Sequence, residues 1–202
     1  MFKSVSSSPS VAVGSHPHCL FAAKETTTLK MGSSTLTLNK FSNFIAINGL
    51  TALQGSRLST IPGLRRLPDD LGHSIFKLTD PTQVAAVVTS GVMPEQITTP
   101  LYVSERLRIP NGMIYIWFKK DTTDSMIDAI IKEHQLIIVK TMGDADSDDT
   151  ESDDEIAYVV KSSVPLKDSV QIAFILQQNP SISVAEPDLI SGLTTCADAL
   201  TI

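Results

Sequence analysis

The densest concentration of side chains able to do chemistry lies in residues 143–155. This stretch carries Asp144, Asp146, Asp148, Asp149, Glu151, Asp153, Asp154 and Glu155. Asp144, Asp146, Asp148, Thr150, Ser152 and Glu155 place oxygen donors at an EF-hand-like spacing, and calcium is a hard cation that takes such ligands. Asp149 stands where the sharp turn of such a loop needs glycine, and the flanking segments read as strands rather than helices. The run therefore reads first as a solvated acidic loop, with calcium at Asp144, Asp146, Asp148 and Glu155 as the alternative. Ser147, Thr150 and Ser152 each precede acids and have the chemistry to accept phosphate. Elsewhere the signals are sparse. His16 and His18 flank Pro17 beside Cys19, and Cys196 lies at the far end, with no paired-cysteine spacing. That excludes a zinc site and leaves a disulfide or two free thiols open. His134 near a helix end reads as a surface or capping residue. No glycine-rich phosphate loop is present. The expectation is a protein with no catalytic residues, no resident metal and no cofactor.

The bulk numbers narrow the class. The chain has 202 residues, 42% of them hydrophobic, and a net charge of -6. That suffices for one ordinary core or two small ones. An acidic balance with scattered bases excludes a nucleic-acid surface; Arg65-Arg66 and Lys119-Lys120 are the adjacent basic pairs, and each reads as a solvated face. No apolar run approaches the ~20 residues of a membrane span. A serine-rich start replaces the apolar stretch of a secretory signal, so the default compartment is cytoplasmic.

The elements that must position any site follow from periodicity. Residues 1–34 read as a mobile arm. Residues 35–108 read as a small α+β unit: strands over Thr35–Asn39, Asn43–Asn48 and Ser74–Leu78, a connection from Gly49 to Gly72, and a helix entered at Asp80-Pro81 with Val84, Ala85, Val87 and Val88 inward. Residues 109–188 are clearer. Met113–Lys120 is a strand of strong β propensity. Asp124–His134 is a helix with Met126, Ile127, Ile130 and Ile131 on one face. Leu136–Thr141 and Ile156–Ser162 are strands around the acidic loop. Lys167–Gln178 is a helix with Val170, Ala173, Phe174 and Leu176 inward, and Ile182–Ala185 closes the set. The order β-α-β-β-α-β gives an α+β, ferredoxin-like sandwich: an antiparallel sheet with two helices on one face and the opposite face open. The smaller first unit reads as a degenerate echo of the second.

The strand-helix phrase Met113–Ile131, the strand Leu136–Val139 and the closing phrase Asn179-Pro180-Ser181-Ile182-Ser183-Val184-Ala185-Glu186-Pro187-Asp188 resemble the prodomain of subtilisin-like serine proteases. In that family a helix and an Asn-Pro turn precede a V-x-x-A-E-P-N/D phrase. Residues 35–103 resemble, more loosely, the extra N-terminal unit of some larger subtilases. The protease's own signatures (an Asp-Ser/Thr-Gly, a His-Gly-Thr, a Gly-Thr-Ser-Met-Ala) are absent; His73 follows Gly72 but precedes Ser74-Ile75. The resemblance implies a noncatalytic protein that inhibits a subtilisin-like catalytic domain or assists its folding. The open face would pack on the protease and the tail from Glu186, Pro187 and Asp188 through Leu189, Ile190, Ser191 and Gly192 would enter its cleft in extended form. Acids in the hairpin loop would cap helix N-termini of the protease.

Trp117 alternates with Phe118 in the strong strand, so one of them faces the helices and the other the open face; Trp117 reads either as a partner-contact anchor or as an ordinary packed aromatic. Two other classes compete: an interaction module that keeps the fold without a protease, and a regulatory domain binding a small ligand. The tail separates the first two. A cleft-binding tail stays unpaired beyond Asp188, whereas a module folds residues 189–202 back on itself.

Overall fold

The computed structural model describes residues 25–70, 72–104, 106–142 and 157–195. Among the described residues, two antiparallel sheets and four α-helices make up an α+β architecture. The described residues start with a hairpin, β1 (Glu25–Met31) and β2 (Ser34–Phe41), paired along its whole length.

The first unit follows as β3 (Phe44–Asn48), α1 (Ala52–Leu58), β4 (Arg65–Arg66), β5 (His73–Lys77), α2 (Gln83–Thr89) and β6 (Ile97–Thr98). Its sheet runs β4-β5-β3-β6. After a short link, β7 (Leu101–Val103), comes the second unit: β8 (Arg106–Phe118), α3 (Asp124–Glu133), β9 (Leu136–Met142), β10 (Ala157–Ser162), α4 (Ser169–Leu176) and β11 (Ile182–Thr195). Its strands run β9-β10-β8-β11 and every neighbouring pair is antiparallel. The two units share one connectivity. In each, the first strand is central with the third beside it, and the second and fourth flank that pair.

Local chemistry explains the helices. Asp168 ends the extended segment before α4, and its side chain accepts from the amides of Val170 and Gln171, satisfying donors that the first turn leaves free. In α3, Asp124 sits in the first turn and Lys132 in the last, each at the favourable pole of the dipole. Ile127 and Ile130 meet Ile114, Ile116, Phe118 and Leu176 in the core of the second unit. The first unit has its own core of Ile45, Ile47, Leu58, Phe76 and Val87.

Several expectations change. Residues 1–34 are not all a mobile arm: β1 forms within them, because Thr27 and Leu29 alternate inward. The connection Gly49–Gly72 holds α1, started by a capping box in which Thr51 and Gln54 exchange side-chain and backbone bonds at 3.3 and 3.0 Å. Ala85 and Met126 point outward, Met126 being 44% exposed. Phe174 packs on the β1–β2 hairpin cluster rather than in the main core. β8, the strand that opens the second unit, runs from Arg106. Ile182–Ala185 is only the start of a strand that continues to Thr195, so the division at residue 188 falls inside β11.

The two sides of the central strands give a direct check. Ile116→Ala, on the buried side, should cost about 2–5 kcal/mol, read as a lower urea midpoint with unchanged slope. Val159→Ala, on the other side of the same sheet, should cost about 1 kcal/mol or less.

Candidate functional site: the bare face of the second unit

β8 organises the site. Its alternation sends Ile114, Ile116 and Phe118 under the helices and Leu107, Ile109, Met113, Tyr115 and Trp117 to the opposite side. On that opposite side the strand meets two environments. Leu107 and Ile109, with Ile190 of β11, pack on Ala46 and Ile75 of the first unit's sheet. Beyond Gly112, where φ is +86°, no residue on this side of the strand joins the cluster shared with the first unit. Met113, Tyr115 and Trp117 are half-buried and belong to none of the core clusters.

Register builds the rest of the face. Tyr115 lies between Val159 of β10 and Glu186 of β11, and Trp117 between Ala157 and Val184. The Tyr115 and Trp117 rings stack, with centroids 6.2 Å apart and planes at 28°. Lys140 pairs in register with Val159, and Ile137 with Lys161, which places both lysines on this side. The face therefore has an aromatic centre, a basic flank on β9 and β10, and an acidic flank on β11. Glu186 accepts from the Gly32 amide of the β1–β2 turn at 2.5 Å. Asp188 takes the Asn111 side-chain amide. A cleft of about 410 Å³ marks the step where the first unit's cover stops. Thr98, Thr99, Asn111, Met113, Ile137, Lys161 and Ser169 are among its lining residues.

The structure brings Trp117 and Glu186 onto the bare face together. Pro187 is buried and points to the helix side. Leu189, Ile190 and Ser191 do not dangle: they pair with Pro110, Ile109 and Arg108, and the Arg108 side chain reaches Ser191. Gly192 lies within the same strand. The expectation of a tail unpaired beyond Asp188 is thus corrected. The apolar pair Leu189-Ile190 gains burial on both sides of the sheet, Leu189 toward the hairpin cluster and Ile190 toward the first unit. Asp144, Asp146, Asp148 and Glu155 lie outside the described residues. His134 occupies the C-cap of α3. Among the described residues no group of three His, Cys, Asp or Glu is placed to hold a metal. Sequence reasoning singled out Trp117 and overlooked Tyr115, although a spacing of two already put both on one side; Lys140 and Lys161 needed the register.

A part-buried polar latch joins the β1–β2 hairpin to α4. The Tyr102 hydroxyl donates to Asp168 at 2.6 Å, Lys40 lies 2.7 Å from Glu25 and 3.5 Å from Asp168, and Gln171 donates to Thr27 at 2.8 Å. Burial works against the Lys40 ammonium, but Glu25 and Asp168 outweigh it and raise its pKa. Burial, then the Asp168 carboxylate, pushes the Tyr102 phenol far above its ordinary 10.0.

Comparison of the chain with protein-family models, with curated proteins and with solved structures finds no match in any of the three. The site therefore rests on its own geometry.

The latch has a pH signature. A phenol held neutral in the fold stabilises it fully below the unfolded value of 10.0, and that contribution is lost as pH rises toward the folded value. The urea midpoint should start to fall near pH 10 and go on falling above it. Tyr102→Phe should lower stability near neutral pH by about 1–2 kcal/mol and flatten the alkaline fall. An equally steep fall in the variant would assign it to other groups.

Proposed function

We propose that this chain is a noncatalytic protein-binding protein of the ferredoxin-like prodomain type, which docks on the catalytic domain of a subtilisin-like serine protease. Inhibition of that domain and assistance to its folding follow from the same contact, because binding the folded enzyme and not its unfolded chain favours the fold. The observation that carries this reading is the half-exposed Tyr115–Trp117 stack at the centre of a sheet face bare of helices, in a strand order β9-β10-β8-β11. Aromatic residues on a flat, partly dry surface are the usual anchors of protein interfaces. The phrase from Asn179 to Asp188 supplies the protease as the partner through its resemblance to subtilase prodomains.

The pairing of Leu189–Ser191 with β8 bears on how such a protein would act. A tail entering a protease cleft would first have to peel from β8 and expose Ile190. Docking by the face alone needs no such rearrangement. The same pairing favours a second reading, an interaction module that uses the face on a partner other than a protease.

A panel of purified subtilisins separates the two. Slow, tight inhibition that Trp117→Ala weakens at least about tenfold, or 1.4 kcal/mol, is the expected result. Binding without inhibition would favour the interaction module. Absence of any binding to every subtilase tried would remove the protease from the account. Trp117 is half-exposed, so an unchanged urea midpoint in the variant shows that affinity rather than folding was lost.

A further inference from the structure

We propose that β9 is a strand-addition site, which takes an extended segment of a partner protein in which apolar and acidic residues alternate. Ile137, Ile138 and Val139 are 45%, 41% and 47% exposed, three consecutive large apolar side chains on one strand. β9 ends the sheet: β10 pairs one edge, and among the described residues no strand pairs the other. Its outer row of backbone donors and acceptors is therefore a template for an added strand. Such additions draw affinity from main-chain bonds and selectivity from alternate side chains.

The chemistry of the occupant follows from register. Lys140 pairs with Val159, and Lys161 with Ile137, so both ammonium groups lie on the bare-face side of the edge. Ile138 pairs with Val160, a core residue, and lies on the helix side. Neither β9 nor β10 contains an acidic residue, and neither lysine forms an ion pair among the described residues. An added strand thus meets the Lys140 ammonium beside Ile137 on the bare-face side and apolar surface on the helix side. Acids in the partner satisfy the first, and apolar residues at the intervening positions satisfy the second.

A second copy of the chain is the rival occupant. A β9–β9 pair would place lysine-bearing edges together with no acid in either strand to oppose them. The edge adjoins the face centred on Trp117 and shares its lysine flank, but strand addition needs the outer backbone row of β9 and docking by the face does not, so either proposal can fail alone.

The test uses the full chain and two blocked, labelled peptides of about eight residues, one alternating valine with glutamate and one alternating valine with lysine. Fluorescence anisotropy should show the glutamate peptide binding at least about tenfold more tightly. Lys140→Glu should reverse that order, while Trp117→Ala should leave it intact. Val139→Pro, checked for retained structure by circular dichroism, should abolish binding by interrupting the edge strand. Equal affinity for the two peptides, no binding of either, or a preference unmoved by Lys140→Glu would overturn the proposal. A concentration-dependent dimer broken by Val139→Pro would overturn it in favour of the second copy.

Discussion

The length of β8 is the constraint on which the rest depends. A strand of thirteen residues is longer than the second unit needs, and its two halves are used differently. The second half is the central strand of that unit, between β10 and β11. The first half continues beyond it, between β7 and the far end of β11. Because side chains alternate strictly, one surface runs the length of the strand on each side. The helix side is buried by α3 and α4 and then by the hairpin cluster. The opposite side is buried where the first unit sits and bare where it does not. Position along one strand decides which residues are core and which are free to meet a partner.

The same length determines the fate of the chain after Asp188. An extended segment leaving the last strand of an isolated unit has no neighbour to pair with. Here the first half of β8 offers one, and the segment carries Leu189 and Ile190, whose side chains fall on opposite faces of the growing sheet. Each finds an apolar cluster. Burying two such side chains and satisfying the ladder outweighs the freedom of a loose end. The polar latch of Tyr102, Asp168, Lys40 and Glu25 works alongside these clusters, holding the hairpin to the helix that packs on β8. Lys40 is stable there because two carboxylates share the cost of its partial burial.

Much of the second unit was legible in the sequence because local signals agreed. The periodicity of Ile127, Ile130 and Ile131 and the apolar alternation of Met113–Phe118 each pointed to one element, and the structure contains it. Legibility failed where a short element depended on distant partners. β1 is polar on one side and acquires its role only through Leu38, Val170 and Tyr102. α1 is seven residues long, and its glycine and serine masked the Thr51–Gln54 capping pair. The continuation of β11 was unreadable for the same reason: nothing within Leu189–Thr195 says that Arg106–Pro110 lies beside it. Of the candidate site, Trp117 was visible as an aromatic in a strand. Its stacking on Tyr115 followed from alternation, and the lysine flank did not, because a bulge opposite Val159 and Val160 resets which residues of β9 share its side.

The two units supply an internal comparison. They have the same connectivity and strand order, so each folds with helices on one side of its sheet and leaves the other side without them. In the first unit that side is closed by apolar residues of β7, β8 and β11, sheet against sheet. It carries small and aliphatic side chains, Ala46 and Ile75, suited to permanent burial. In the second unit the equivalent side carries stacked aromatics with lysines on one flank and acids on the other. That composition is costly to bury without matched charges and stable when half-exposed to water. The difference in side-chain chemistry, more than the shared topology, marks one face as core and the other as a surface for recognition.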